Sequence, residues 1–514
     1  MIWHIAKKEF HQNILTSRFV IGTILCVIFV VLVKISLISD YSLQIDAYNS
    51  SVNTNEERMK KYYTYSEISP RVHKPPEILS ILSQGVSKKL GGIIGINRTE
   101  VPYDSEHYVM DNPFLRVFKS FDIVLVFKLI MSLLALLFAF DMFSGEKETG
   151  TLKLSLAGST SRAEVFIGKY IGGMLSLTIA FAFSFIIGLL FMQTSPVIGF
   201  NSDILTRLLL IYFVSIVFTA SFFSIGAFIS SLTHRSVTSL AVSLFIWVIL
   251  VIVLPNLGNY TAAQLKTVEP LVKIEAEVSE LQNEMVETVQ KYMEENPHPE
   301  GGTIINGSQS PTRGYYRFQI ANLNQMKFYD HFIPYSEEKR RELANRSYDT
   351  RKRYLDNLAE QAKIVNIFTI FSPVRLYENI ARRIARTDLY NYQEFLNQSQ
   401  IYRNSMLRYF NDKDVYNKYR FTSIMERGEA PNVTSDEVFT DGSEAERIWH
   451  EAGERINWDT RPNLNLDDFP KFNHQSENIP VSINAVLPYF AGLIFIVLVL
   501  ILLTYFVFVK YDVR

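Results

Sequence analysis

Six stretches of the chain, 19–38, 123–140, 171–192, 208–229, 237–254 and 486–509, are apolar and almost uncharged. Each is long enough to cross a hydrocarbon core of about 30 Å as one helix. Polar residues are concentrated between them. The pattern predicts an all-α integral membrane protein with six transmembrane helices. Two long insertions, 39–122 and 255–485, follow the first and the fifth span.

An even number of crossings puts both termini on one side. Lys and Arg in short loops assign that side, because long loops translocate whatever their charge. Lys7, Lys8 and Arg18 in 1–18 fall on it, with Lys147, Lys153, Arg162 and Lys169 in 141–170. So do Arg235 in the loop 230–236 and Lys510 and Arg514 in the tail 510–514. The short loop on the other side, 193–203, has neither Lys nor Arg. Both termini are expected in the cytoplasm and both insertions outside. The first span reads as a retained signal anchor. Its apolar run is about twice an ordinary signal h-region, and 36–42 offers no small-residue cleavage site.

The larger insertion reads as mainly helical. Val268, Leu271, Ile274, Val278, Leu281, Met285, Val289 and Tyr292 recur at steps of three or four, one apolar stripe on a helix. This helix is expected to rise from the fifth span as a stalk and to end at the breakers Pro297, Pro299, Gly301 and Gly302. Its stripe is read as intramolecular packing rather than a partner surface. A further helix is expected over 336–370, after which Ser372 and Pro373 suit the N-cap and first residue of the next. The stretch 428–480, rich in Asp, Asn, Gly and Pro, is expected to be irregular.

Overall composition, 48% apolar and 20% charged with a formal net charge of −1, would by itself suit a soluble protein. The segregation of polarity decides otherwise. It excludes a small soluble domain, a basic nucleic-acid binder and an outer-membrane barrel. The single cysteine, Cys26, lies in the first span and excludes an intrachain disulfide. Segment 255–485 holds 34 acidic and 28 basic residues, too even a balance to select a polyanion or polycation.

Candidate chemistry is sparse. Gly168 followed by Lys169 is the nearest approach to a phosphate loop, but Ala163 and Tyr170 stand where Gly and Ser or Thr are needed. The nine histidines show no metal-ligand spacing, and no nucleophile elbow is present. No catalytic residue and no metal ligand is assigned, and the chain is not expected to be an enzyme. Two lysines fall inside the windows. Lys34 is near an outer end and can snorkel. Lys128 lies about six residues inside the second span, roughly 9 Å below its outer end. It has two readings, a snorkelling structural lysine or a residue of a translocation path. No span core carries a carboxylate, which argues against a proton- or sodium-driven carrier.

The segment 141–170 begins with a charge-rich run suited to docking a soluble partner, or to lying solvated below the bilayer. Ile2, Ile5, Phe10 and Ile14, with Lys7, Lys8 and His11 between them, suit a helix in the membrane interface over 1–18, or an ordinary topogenic flank.

The run Phe143, Ser144, Gly145, Glu146, Lys147, Glu148, Thr149, Gly150, Thr151, Leu152, followed by Ser161, Arg162, Gly168 and Lys169, resembles the cytoplasmic signature of ABC type-2 permeases. These are the membrane subunits of type V ABC exporters. Ala6, Lys7, Lys8, Glu9 and Phe10 before a first span fit the same family. The run from Pro75 to Gly85, Asn112 with Pro113, Phe121 with Asp122, and Phe371 to Pro373 with the helices up to Phe395 resemble a subgroup with large extracytoplasmic domains. The stretch 420–480 resembles nothing identified.

The resemblance implies a permease working as a pair, with an identical or homologous second permease, in a bacterial cytoplasmic (inner) membrane. It implies two separate ABC ATP-binding subunits that carry ATP and Mg²⁺, so that this chain binds no cofactor of its own. Gly145, Glu146, Glu148, Gly150, Thr151, Leu152 and Arg162 would form the ATPase-coupling element, with Gly150 and Thr151 allowing its turn. In such permeases the second and fifth spans line the subunit interface and path, which raises the interest of Lys128. The expected function is the permease subunit of an ATP-driven exporter. The alternative is a membrane machine whose ATPase moves the outer domains to act on an envelope protein without translocation. The lipid bilayer is a partner in both readings, and nucleic acid in neither.

Overall fold

The computed structural model describes residues 1–86, 90–107, 122–156, 161–297, 305–310, 315–320, 322–433, 435–438, 440–455 and 462–511. Among the described residues six helices are long and apolar enough to cross a membrane, and each contains one of the apolar windows. A short helix α1 (Ile2–Ile14) leads into α2 (Ser17–Met59). The second span, α3, is built from Ile123–Val126, a π turn Phe127–Met131 and Ser132–Ala139. Two short helices, α4 (Ser144–Glu148) and α5 (Thr151–Leu156), precede α6 (Arg162–Gln193) and α7 (Ser202–Leu232). The fifth span is α8 (Ser236–Leu265), with a π turn at Ile249–Val253. Then come α9 (Leu271–Glu295), α10 (Leu323–Phe368), α11 (Pro373–Ile384), α12 (Leu389–Asp412), α13 (Glu444–Arg455) and the last span α14 (Ile479–Val509).

The first four spans start at an N-cap residue whose side chain accepts from the helix, as a low-dielectric surround favours for unpaired N–H groups. Thr16 accepts from the Phe19 N–H, Asp122 from Leu125, Ser161 from Glu164 and Asn201 from Ile204. The central spans are α3 and α7, with 67% and 61% of their apolar windows buried, whereas α8 and α14 are buried over only 17% and lie outermost.

Helix α2 does not stop at the membrane edge. No Gly or Pro interrupts 39–59, so span and outer segment form one rod of 43 residues, roughly 65 Å at 1.5 Å per residue. The expected stalk from the fifth span breaks instead: 266–270 is non-helical and Pro270 precedes α9. The striped face of α9 packs intramolecularly, with Ile274, Val278, Met285 and Val289 buried. Helix α10 starts earlier than 336 and tolerates an internal Pro334, and Ser372 caps α11 with Pro373 as its first residue. Within 428–480 helix α13 interrupts a largely irregular chain. Pro299, Gly301, Gly302, Asn112, Pro113, Phe121 and Arg514, and the side chain of Lys34, lie outside the described residues.

Beyond the membrane, α9, α10 and α12 pack with an antiparallel ribbon of β1 (Arg71–His73) and β2 (Ile93–Gly95), Val72 opposite Ile94. Their core gathers Val72, Ile94, Met326, Phe332, Phe395 and Phe410. A second ribbon pairs β3 (Ile305–Ser310) with β4 (Tyr315–Ile320).

Helix α11 belongs elsewhere. Its Val374, Leu376, Tyr377, Ile380, Ala381 and Ile384 join the core of the transmembrane bundle. The Tyr377 ring stacks on Phe218 of α7 at 4.4 Å, and its hydroxyl lies 2.9 Å from Ser215 Oγ. Leu79, Ile81 and Leu82 enter the same core. Gly85 closes that segment at φ +52°, where a Cβ would sit 2.2 Å from the Thr387 carbonyl oxygen. Here glycine is required by both conformation and space.

The rim of this mouth is charged. Arg207, 1% exposed, donates to Asp203 (3.2 Å), the Ile384 carbonyl (2.9 Å), Ser482 Oγ (2.9 Å) and the Glu477 carbonyl (2.8 Å). Arg383 pairs with Glu477 at 2.7 Å and Asp388 at 3.1 Å. Helix α11 ends in a Schellman motif, Thr387 N–H to Arg382 O at 2.9 Å and Arg386 N–H to Arg383 O at 3.1 Å. The left-handed residue is Arg386 (φ +59°) rather than glycine. Its guanidinium grips the Glu477 carbonyl and Asp203.

We expect Arg207→Met to cost about 3 kcal/mol, because it strands buried polar partners. A clear drop in the thermal unfolding midpoint of the purified protein would register it, and an unchanged midpoint would refute it.

In the domain beyond the membrane spans, burial reinforced by Arg71 and Arg58 lowers the His73 pKa to about 4. Burial with Lys74 and Arg386 nearby does the same for His474. Unfolded histidine titrates near 6.5, so as pH falls the unfolded state takes up protons first. Stability should therefore decline from pH 6.5 toward about 4. The gap in unfolding midpoint between pH 7.5 and 5 should shrink in a His73→Gln/His474→Gln variant.

Candidate functional site

At the bundle end carrying both termini, α3 stops at Ala139 and the chain turns into α4. Phe143 is fully buried against Phe166 and Phe508. The N–H groups of Phe143 and Ser144 both donate to Ser230 Oγ at 3.0 Å, so the end of α7 supplies the acceptor the turn lacks. Helix α4 then clamps the loop between α7 and α8. The Lys147 ammonium donates to the carbonyls of Ser231 and Thr233 at the C-terminus of α7. The Glu148 carboxylate accepts from the Ser236 N–H at the start of α8, 2.9 Å away. Each charge sits at the helix end whose dipole favours it.

Glu146 points the other way, to Lys169 of α6 at 2.8 Å. The buried Lys169 ammonium also reaches Glu9 of α1 at 3.3 Å. Helix α1 lies on a glycine groove of α6: a Cβ on Gly168 would come within 2.8 Å of Ile5, and one on Gly172 within 2.6 Å of the Ala6 carbonyl. Arg18 pairs with Asp141 at 2.7 Å and covers the Phe140 ring.

Gly150 has φ +73°, and its N–H closes on the Lys147 carbonyl at 3.2 Å. This left-handed residue ends α4 and redirects the chain into α5. Gly145 meets only ordinary contacts, so it is not demanded by space. Leu152 is buried, whereas Thr151 and Lys153 are exposed and Leu154 is 81% exposed. Arg162 donates to the carbonyls of Val509 and Tyr511, capping α14. Glu146, Glu148 and Arg162 are thus engaged with the chain's own helices, and among the described residues α5 turns Thr151, Lys153 and Leu154 outward.

Lys128 sits at the opposite end, in the π turn of α3. Its ammonium is 2.7 Å from Glu378 of α11, which Arg382 (3.3 Å) and Arg375 (3.6 Å) also approach. Ser132, one turn on, bonds the Lys128 carbonyl and accepts from Trp247 Nε1 of α8 at 2.8 Å. Ser372 donates to the Leu250 carbonyl in the π turn of α8 at 3.3 Å. Both π turns therefore lie where the start of α11 is seated. Among the described residues no three His, Cys, Asp or Glu side chains converge as metal ligands.

The family model of ABC-2 family transporter proteins matches residues 3–513. The chain belongs to the ABC-2 transporter family. The comparison with curated proteins gives no match. As an ABC-2 permease it is a multi-pass membrane component of an ABC transporter, a class that in general works with an ATP-binding subunit and is not itself catalytic. Glu378, 250 residues from Lys128, was not singled out from sequence. A signal existed, since Val374, Tyr377, Ala381 and Ile384 recur at helical spacing beside an i,i+4 pair of Glu378 and Arg382. Glu9 stood in the permease signature, but nothing in the sequence named Lys169 as its partner.

We expect Gly172→Leu to displace α1 while the six spans stay inserted. Spin labels at Lys7 and Lys153 should report an altered, broadened distance distribution, and an unchanged one would show that the groove is not required.

Proposed function

We propose that this chain is the permease subunit of an ATP-driven exporter, with a separate ABC ATP-binding subunit seated against α4 and α5. The observation that carries the proposal is the bonding of α4. Through Glu146 and Lys169 it holds α6 and α1, and through Lys147 and Glu148 it holds α7 and α8. A displacement delivered at the exposed face of α5 would reach four helices at once. ATP and Mg²⁺ belong to the partner subunit, whose closure biases the spans between two tilts. A second permease, identical or homologous, would meet the first half of α8, whose Val237 and Phe245 are exposed in the isolated chain. The membrane is the bacterial cytoplasmic one, with α1, α4, α5 and both termini inside.

One feature favours the second reading, an ABC machine acting on an envelope protein. The rod of α2 joins the cytoplasmic end of the bundle to the outer domain without a break. Tilting it would move that domain whether or not a substrate crosses.

Glu146→Lys reverses the charge facing Lys169, and Gly150→Pro demands a φ that the turn does not have. Both variants should insert normally yet lose transport-linked ATPase activity of the assembled complex by about tenfold or more, within the range of a coupling free energy. Full activity in both would remove α4 and α5 from the coupling role.

A further inference from the structure

The least buried face of α11 presents Arg375, Asn379 and Arg382 at helical steps of four and three. Lys128 reaches the same place from α3. Two carboxylates face these three cations. Glu378 is shared among all three, and Asp122, near Arg382, already accepts from Leu125 N–H at 2.7 Å and Gln84 N–H at 3.1 Å. The described charges therefore leave one positive charge in excess. The cations are only partly exposed, Lys128 to 15%, Arg375 to 22% and Arg382 to 31%. Arg375 Nε is buried with no hydrogen-bond partner among the described residues. An unbalanced, underbonded cation cluster at the edge of a membrane domain calls for an anion.

Its surroundings say which kind. Lys128 is the sixth residue of α3, about 8 Å down the helix from its start, which leaves its ammonium within snorkelling reach of the headgroup layer rather than in open water. The corner leading into α11 is bonded to α8 through Ser372, and corner and helix carry exposed Ile370, Phe371, Ile252 and Leu257. Cations at the polar edge and an apolar wall beside them complement a molecule that is anionic at one end and hydrocarbon at the other.

We infer that Lys128, Arg375 and Arg382 bind the anionic headgroup of a membrane lipid at the outer mouth of the bundle, with its chains along α8. The site does not depend on whether ATP drives transport. The test is native mass spectrometry of the full chain in mild detergent, titrated with phosphatidylglycerol, phosphatidylcholine or inorganic phosphate. Phosphatidylglycerol should be retained as a discrete adduct at least about tenfold better than phosphatidylcholine. The Arg375→Gln/Arg382→Gln variant should weaken it about 30-fold, at about 1 kcal/mol per basic residue. Arg382→Lys, which keeps the charge, should retain it. Glu378→Gln removes the competing carboxylate and should strengthen retention, the opposite of what a purely structural ion pair would give. Size-exclusion profiles establish that each variant is folded, and if Glu378→Gln is not, the two arginine variants decide. Equal retention of both lipids, undiminished binding in the double variant, or displacement by inorganic phosphate at lipid concentrations would overturn the assignment.

Discussion

The mouth of the bundle around α11 is held in register by Arg207. A guanidinium stays charged and offers five donors in a rigid fork, so once excluded from water it fixes its partners in space. Those partners come from three elements: Asp203 on α7, the Ile384 carbonyl at the end of α11, and Glu477 with Ser482 at the start of α14. A vertical slip by any one element would leave buried polar groups unpaired, at several kcal/mol in a low dielectric. The depth of α11 follows from this. So do the contact of Tyr377 with Ser215 and the reach of Glu378 to Lys128. The left-handed Arg386 fits the same logic, because backbone strain of order 1–3 kcal/mol persists only where surrounding bonds over-determine the conformation.

The two ends of the bundle are closed by different physics. The end that holds Lys128 is plugged by an amphipathic helix whose apolar face merges with the spans. The end carrying both termini shows no such plug among the described residues. It is laced by charges placed against helix termini, Lys147 at the end of α7, Glu148 at the start of α8 and Arg162 at the end of α14. Hydrophobic burial is non-directional and tolerates little void, which suits a seal. Charge–terminus contacts are few, directional and exchangeable, which suits a joint.

How far the sequence could be read depended on the range of each determinant. The six spans were legible because hydropathy is local and additive. The cap of α11 by Ser372 was legible because it rests on the preferences of Ser372 and Pro373 alone, whereas the turn at Gly150 was expected only through the family resemblance. The uninterrupted run of α2 to Met59 had a visible signal, the lack of Gly and Pro over 39–59, yet polarity alone drew the boundary at the membrane edge. The place of α11 was not legible. A helix of 12 residues is too short to register as a span, and it lies inside an insertion that otherwise forms a separate core. Its partners are also remote: Glu378 to Lys128 and Arg207 to Ser482 are pairings that no local window contains.

The membership of α11 in the bundle bears on how the molecule is made. The ribosome delivers the first five spans before residue 373 exists, so these are made around a mouth still lacking its plug. Until then Lys128 and Arg207 stand without Glu378 and Glu477. Closure waits for α11 to be delivered and for α14 to be inserted behind it. Biosynthesis thus passes through an obligatory open-mouthed intermediate, five spans old, whose completion is dictated by chain order rather than by the strength of any single contact.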